Sequence, residues 1–268
     1  MKSLLVAGCG DLGMRLGERL KDGDWQVHGL RRRPDRLPPF IRGIGADLLT
    51  PSSLEKIPQS WDAVIYQATP GERTPDAYRE AYVDGLSNLL QRVRTQRLIF
   101  VSSTAVYGQD QGEWVDEDSA TEPQAFSGRI LLEAEARARE HGGLVVRFSG
   151  IYGPGRDYLI RTLKSGRARC RRDPPQWTNR IHADDCAAVL DHLLNLAQAQ
   201  PLYLASDSMP TPRCEVLTWL AKQLDLPGPK ADSESSGQGK RIRNQRLTSA
   251  GFEFQYPDYQ TGYRTLLP

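Results

Sequence analysis

Leu4-Leu5-Val6-Ala7-Gly8-Cys9-Gly10-Asp11-Leu12-Gly13 is the stretch whose reading decides the fold. A short apolar run passes directly into Gly8-x-Gly10-x-x-Gly13 and then into residues with helical spacing, a strand-turn-helix context that makes the glycine pattern specific. Glycine lets the backbone turn sharply and approach a pyrophosphate closely. The helix that follows offers free amide groups and the positive end of its dipole. Gly8, Gly10, Asp11, Leu12 and Gly13 are therefore predicted to hold a dinucleotide.

Outward from this loop, β-branched runs alternate with helical patterns, as βαβ units of a parallel sheet require. Strands are expected over 4–7, 25–30, 43–46, 63–67, 98–102 and 143–148, and helices over 78–94, 127–140 and 183–195. The fold class is α/β: a doubly wound parallel Rossmann sheet over 1–155, then a small C-terminal substrate-facing lobe over 156–268, with 177–205 returning to the sheet. The polar, glycine-bearing segment 233–239 reads as a mobile loop, and no internal repeat is present.

A chain of 268 residues with 39% hydrophobic content can bury a sizeable core. Its net charge of +2 argues against a general nucleic-acid binder. Cys9, Cys170, Cys186 and Cys214 form neither a CxxC pair nor a metal-ligand spacing, so reduced thiols, no metal and no disulfide framework are expected. The N-terminal apolar run is too short for a signal peptide and nothing approaches a membrane span, so a soluble, cytoplasmic protein is expected.

The second strand ends Val27-His28-Gly29-Leu30 and continues into Arg31-Arg32-Arg33, where an NAD-specific protein places a carboxylate for the ribose hydroxyls. Arg31 and Arg32 suit a 2′-phosphate and point to NADP; the other reading is a solvated arginine loop. Asp47, with Leu48 beside it, either accepts from the adenine amino group or caps the next short helix.

Four further segments carry a family resemblance: Asp62-Ala63-Val64-Ile65-Tyr66-Gln67-Ala68-Thr69, Val101-Ser102-Ser103-Thr104-Ala105-Val106-Tyr107-Gly108, Arg147-Phe148-Ser149-Gly150-Ile151-Tyr152-Gly153-Pro154-Gly155-Arg156 and Asn179-Arg180-Ile181-His182-Ala183-Asp184-Asp185. Together they resemble the extended short-chain dehydrogenases/reductases, the group of nucleotide-sugar epimerases and dehydratases. The resemblance implies cofactor contacts at Ala68, Thr69, Ser102, Ser149 and Ile151. It also implies a substrate-polarising hydroxyl at Ser103, and a substrate cleft lined by Thr104, Tyr107, Trp177 and Arg180. Residues 102–104 can equally serve as strand-end hydrogen-bonding groups.

Two departures stand against that pattern. The family's Tyr-x-x-x-Lys helix fits Ala125 to Glu133, with Arg129 at the lysine position and Ala125 at the tyrosine position. A phenol with a pKa of about 10 needs a nearby cation before it can pass a proton at neutral pH, and alanine has no proton to pass. Arg129 either holds the nicotinamide ribose or pairs with Glu133 one helical turn on. Tyr82 stands where the family commonly has Asn, as a relocated acid or as a packing aromatic.

Arg161, Lys164, Arg167, Arg169, Arg171 and Arg172 form a basic stretch that suits an anionic substrate or simply solvates a loop. His182, Asp184 and Asp185 read as a helix N-terminal turn before they read as a metal site. The basic segment 240–247 either closes over the site or caps the lobe. The sequence thus supports an NADP-dependent oxidoreductase or epimerase/dehydratase-like enzyme acting on a small molecule, as monomer or homodimer. A catalytically inactive NADP(H) sensor or interaction protein is the alternative.

Overall fold

A computed structural model describes residues 1–232 and 237–268. The expected mobile loop falls largely on 233–236 and there lies outside the described residues. Seven strands form the main sheet: β1 Lys2–Ala7, β2 Trp25–Arg31, β3 Arg42–Gly45, β4 Ser60–Tyr66, β5 Arg94–Ser103, β6 Leu144–Phe148 and β7 Leu202–Ala205. Their order is β7-β6-β5-β4-β1-β2-β3, a parallel, doubly wound arrangement. The expected strands are all present, with ends displaced by a few residues. Leu4 to Ala7 of β1 and Ala63 to Tyr66 of β4 are fully buried, as strands covered on both faces must be.

The chain leaves β1 toward β2 and β3 on one side and resumes at β4 on the other. This reversal opens a crevice at the carboxyl ends of β1 and β4, the usual ligand position in such sheets. Helix α1, Asp11–Leu20, follows β1 and buries Leu12, Leu16 and Leu20 together with Gly13 and Gly17.

The single helix expected over 78–94 is interrupted. It consists of a helical turn Pro75–Arg79, a π-helical turn Glu80–Asp84, and helix α2, Gly85–Arg92. The cause is a buried phenol: Tyr66 on β4 donates its hydroxyl to the Ala81 carbonyl at 2.6 Å, inserting into the helical ladder. A methyl group on Gly85 would stand 2.6 Å from that same hydroxyl, so only glycine fits there.

Two compact units make up the described chain, the first comprising Met1–Val106, Glu122–Arg147 and Ala187–Tyr203, the second Tyr107–Thr121, Phe148–Cys186 and Leu204–Pro268. In the first, helix α3, Phe126–Glu140, is tied to the sheet by the buried Glu135 carboxylate. Glu135 accepts from Ser102 Oγ at 2.7 Å and from Arg147 Nε and Nη2 at 2.8 and 2.6 Å.

In the second unit, strand Gly150–Tyr152 pairs in parallel with Arg180–His182. Helix Arg213–Gln223 packs through Val216, Leu217 and Leu220 on Tyr152, Ile160, Leu163, Tyr259 and Tyr263. The expectation of four reduced thiols is corrected here: Cys170 and Cys214 form a disulfide with Cα atoms 5.3 Å apart, while Cys9 and Cys186 remain thiols. The two half-cystines lie 44 residues apart in sequence and meet only because strand Arg169–Cys170 runs past the first turn of Arg213–Gln223. Among the described residues, no helix is long and apolar enough to cross a membrane.

Candidate functional site

The three glycines after β1 do three different things. Gly8 has φ +78°, and a methyl group built on it would stand 2.4 Å from the Ala68 Cα, so it permits the loops after β1 and β4 to touch. On Gly13 a methyl group would meet Gln67 Nε2 at 2.5 Å and Cys9 Sγ at 2.8 Å, so Gly13 lets α1 lie close on the sheet. On Gly10 it would meet only the Gly8 carbonyl, at 3.8 Å. Gly10 therefore keeps space open rather than relieving a clash, and it caps α1 with no side chain in the way. Those are the requirements of a turn, a close approach by phosphate, and helix-on-strand packing.

The space Gly10 faces is a cavity of about 1020 Å³ in the first unit. Of the sequence-predicted cofactor residues, Gly8, Gly10, Arg31, Arg32, Asp47, Leu48, Ala68 and Thr69 line it. Asp11, Leu12, Gly13 and Ser102 do not: Asp11 pairs with Arg15 at 3.0 Å, and buried Ser102 is committed to Glu135. Arg33, Arg36, Tyr66, Glu80 and Ala81 also line the cavity, and of these the sequence reading singled out only the arginine run. Cys9 lines it too, with its thiol pushed up to about 11 by burial, so it is an inert packing group rather than a nucleophile.

Arg31, Arg32, Arg33 and Arg36 gather on one rim, and among the described residues none has a carboxylate within ion-pair distance. Asp47 does not cap the short helix Pro51–Leu54, whose N-cap is Thr50. Its carboxylate instead accepts the Leu49 N–H at 3.0 Å, which shapes the loop after β3.

Ser103, Thr104, Tyr82 and Arg129 do not line the cavity. Ser103 ends β5 and its hydroxyl accepts the Ala105 N–H at 3.2 Å, while Thr104 opens a single 3-10 turn. Arg129 is exposed and donates Nη1 to the Gln124 carbonyl at 2.7 Å. The alternative pairing of Arg129 with Glu133 does not form, because Arg79 holds Glu133 with two hydrogen bonds of 2.9 and 2.8 Å. Ala125 is exposed at the N-cap of α3, whereas the buried positions of its first turns are Ser127, Gly128, Ile130 and Leu131. The register does not alter the chemistry, since Phe126 to Glu140 contains neither tyrosine nor lysine.

Tyr82 lies in the π-helical turn, tilted against Tyr78 at 5.6 Å and edge-on to Phe100 at 6.5 Å between ring centres. Burial pushes its phenol up to about 12, away from the range of an acid working at neutral pH.

The remaining predicted residues belong to the second unit. Ser149 and Ile151 flank and occupy strand Gly150–Tyr152; the Ser149 Oγ is buried without a hydrogen-bond partner among the described residues. The Tyr107 hydroxyl donates to the Asp116 carbonyl at 2.8 Å. Arg180 is buried, donates Nη2 to Thr178 Oγ1, and stacks on Tyr259 at 5.5 Å. Trp177 stacks on Arg241 at 4.9 Å, with Arg241 also facing Trp114. Within the basic stretch, Arg161 pairs with Asp157 and Arg171 donates to the Pro174 and Gly237 carbonyls. Lys240 donates to the Tyr107 carbonyl at 2.7 Å and Arg246 pairs with Asp118 at 2.8 Å, so the segment 240–247 is tied down inside its own unit. Asp185 accepts the N–H groups of Gln255 and Tyr256 at 2.9 and 3.0 Å, and no metal-holding cluster occurs among the described residues.

A glycine cradle at the switch point of a doubly wound parallel sheet defines a Rossmann-type dinucleotide-binding protein. The sequence model of the NAD dependent epimerase/dehydratase family matches residues 4–203, and the chain belongs to that family. It is 30% identical over 275 aligned positions to Protein YeeZ of Escherichia coli K12, covering 96% of this chain and 97% of that protein. It is 25% identical to a 3-diazoavenalumate denitrifying reductase of a Streptomyces species, over 86% of this chain and 84% of that one. The solved structure of a protein from Methylobacillus flagellatus, designated a NAD-dependent epimerase/dehydratase, superposes with a TM-score of 0.85 at 36% identity, covering 99% and 97% of the two chains.

Proposed function

We propose that this protein is an NADP(H)-dependent oxidoreductase of the epimerase/dehydratase family that acts on an anionic small molecule without a phenol as its proton donor. The observation that carries the cofactor choice is the rim of Arg31, Arg32, Arg33 and Arg36, free of carboxylate partners among the described residues. A 2′-phosphate is a partner of the right charge, and guanidinium groups bind it bidentately. The residues present fit a dinucleotide: Gly8 and Gly10 with the amide end of α1 would hold the pyrophosphate, and Asp47 and Leu48 would flank the adenosine half.

When bound, a nicotinamide dinucleotide supplies hydride transfer. In this reading Ser103 orients the reacting carbonyl or hydroxyl, and Arg129, which α3 turns outward, takes no part. α3 offers neither tyrosine nor lysine, and its Glu133 and Glu135 carboxylates are held by Arg79 and Arg147. The proton on the reacting oxygen would then be exchanged with water, whichever way the hydride moves. The similarity to a reductase supports reduction as the direction of the reaction.

A second reading rests on the same missing groups: a protein that binds NADP(H) without turnover, as a sensor or interaction module. Calorimetric titration with NADPH and NADH, repeated on Arg31→Asp, tests the cofactor. Strong NADPH binding, weak NADH binding and loss of the preference in the variant are expected; no binding of either nucleotide overturns the proposal. NADPH that remains unoxidised with every member of a carbonyl panel selects the sensor.

A further inference from the structure

We infer that Arg33 and Arg36 form one phosphate clamp and that a strip of glycines on β2 and β3 holds it in place, making Gly43 a specificity-determining positioning residue. The inference rests on the NADP reading above, which already places Arg33 and Arg36 on its arginine rim, and adds Gly43, which that reading does not assign. Directly after β2, Pro34–Arg36 forms a 3-10 turn with Arg33 as its N-cap, closed by the Leu37 N–H donating to the Pro34 carbonyl at 3.0 Å. Arg33 enters the turn with non-helical backbone and Arg36 closes it. Both line the cavity.

The turn lies flat on the sheet. A methyl group on Gly43 would stand 2.8 Å from Pro34 Cβ and 3.2 Å from its carbonyl oxygen, and one on Gly45 would stand 3.3 Å from Pro34 Cγ. On Gly29, the register partner of Gly43, it would meet Leu37 Cδ1 at 2.8 Å and Ile41 Cγ2 at 2.9 Å. None of these three glycines has positive φ. Their identity therefore serves space and not backbone conformation, and glycine inside a strand weakens it unless something must approach closely. What approaches here is the segment that carries the arginines. Seated on bare backbone, the turn fixes where both arginine side chains start, so less backbone ordering is needed on binding.

The test is titration of wild type, Arg36→Ala and Gly43→Ala with NADPH, NADH and 2′,5′-ADP, the last as a phosphate probe that lacks nicotinamide, with melting temperatures recorded alongside. Arg36→Ala is expected to weaken NADPH and 2′,5′-ADP about tenfold or more while leaving NADH unchanged. Gly43→Ala is expected to lower the NADPH-to-NADH preference in the same direction. If Gly43→Ala does not fold, Pro34→Ala, which adds no atoms, takes its place with the same expected loss of preference. Unchanged 2′,5′-ADP affinity in Arg36→Ala overturns the inference, as does equal weakening of NADPH and NADH by the glycine or proline variant. A wild type with no NADPH preference overturns the cofactor reading and the inference with it. A preference that Arg31→Asp abolishes and Arg36→Ala leaves intact overturns the inference alone.

Discussion

Replacing Gly8 and Gly10 separately by alanine distinguishes a glycine that the fold requires from a glycine that the ligand requires. At Gly8 the added methyl group stands 2.4 Å from the Ala68 Cα, a backbone atom that cannot rotate away, and φ is +78°. The left-handed backbone costs about 1–2 kcal/mol for a residue with a Cβ. Overpacking against backbone adds roughly 1–3 kcal/mol. Together these predict a fall in melting temperature of roughly 4–20 °C for a chain of this size.

At Gly10 the nearest atom is 3.8 Å away and the backbone is extended, so the fold loses only the small difference between glycine and alanine at an N-cap, about 1 kcal/mol or less. The methyl group instead occupies the space where a pyrophosphate would meet the amides of α1. Loss of one charge-assisted hydrogen bond, roughly 1.5–3 kcal/mol, lowers nucleotide affinity about 10- to 100-fold. Thermal melts followed by circular dichroism, with calorimetric titration of NADPH, measure both quantities. Gly8→Ala should melt early; Gly10→Ala should melt near wild type and bind poorly. A Gly10→Ala protein that binds NADPH as wild type does would refute the assignment of that space to the ligand.

Glu135→Ala leaves the buried Arg147 guanidinium without its carboxylate and should cost about 3–5 kcal/mol in urea denaturation; Glu135→Met with Arg147→Leu should recover most of it, and an additive double variant contradicts the buried-pair account. Cys214→Ser opens a covalent loop of 44 residues and should destabilise by about 4 kcal/mol, while thiol titration of the denatured, unreduced wild type should find only Cys9 and Cys186. Burial pushes the Asp207 carboxyl up to about 7, above its unfolded value. The folded state therefore binds the extra proton between about pH 4 and 7, and wild-type stability falls as pH rises through that window. Asp207→Asn should melt like wild type at pH 4 and higher than wild type at pH 8; equal melting at both pH values rules this out.

The sheet was legible because its evidence is local. Strands buried on both faces announce themselves as apolar runs, and Gly8-x-Gly10-x-x-Gly13 marks where the first of them ends. Eight of the residues that line the cavity were legible for the same reason, since a parallel sheet brings the residues that follow each strand to one edge. The rest depended on contacts between distant residues. Nothing between 78 and 94 foretells the π-helical turn, because its cause is the Tyr66 hydroxyl on β4. The disulfide was missed because spacing rules see only neighbours in sequence. Arg36 was passed over because its place in the cavity comes from the turn at Pro34, and that turn is held by glycines on the next strand. Arg129 could be placed in a motif but not on a face, and α3 turns it outward.

The order in which the chain fills its two units bears on its biosynthesis. The first unit is not complete until Tyr203 has been made, and by then the chain has already left it twice to build parts of the second. On the ribosome, strands β1 to β5 are finished long before β6 and β7 exist, so the edge of β5 waits unpaired while roughly 40 residues separate it from its neighbour at ordinary elongation rates of about 5–20 residues per second. No single cut in the polypeptide can release either unit whole. Fragment expression is therefore a poor route to either half, and a helper that shelters a sheet edge during synthesis would raise the yield of the intact chain.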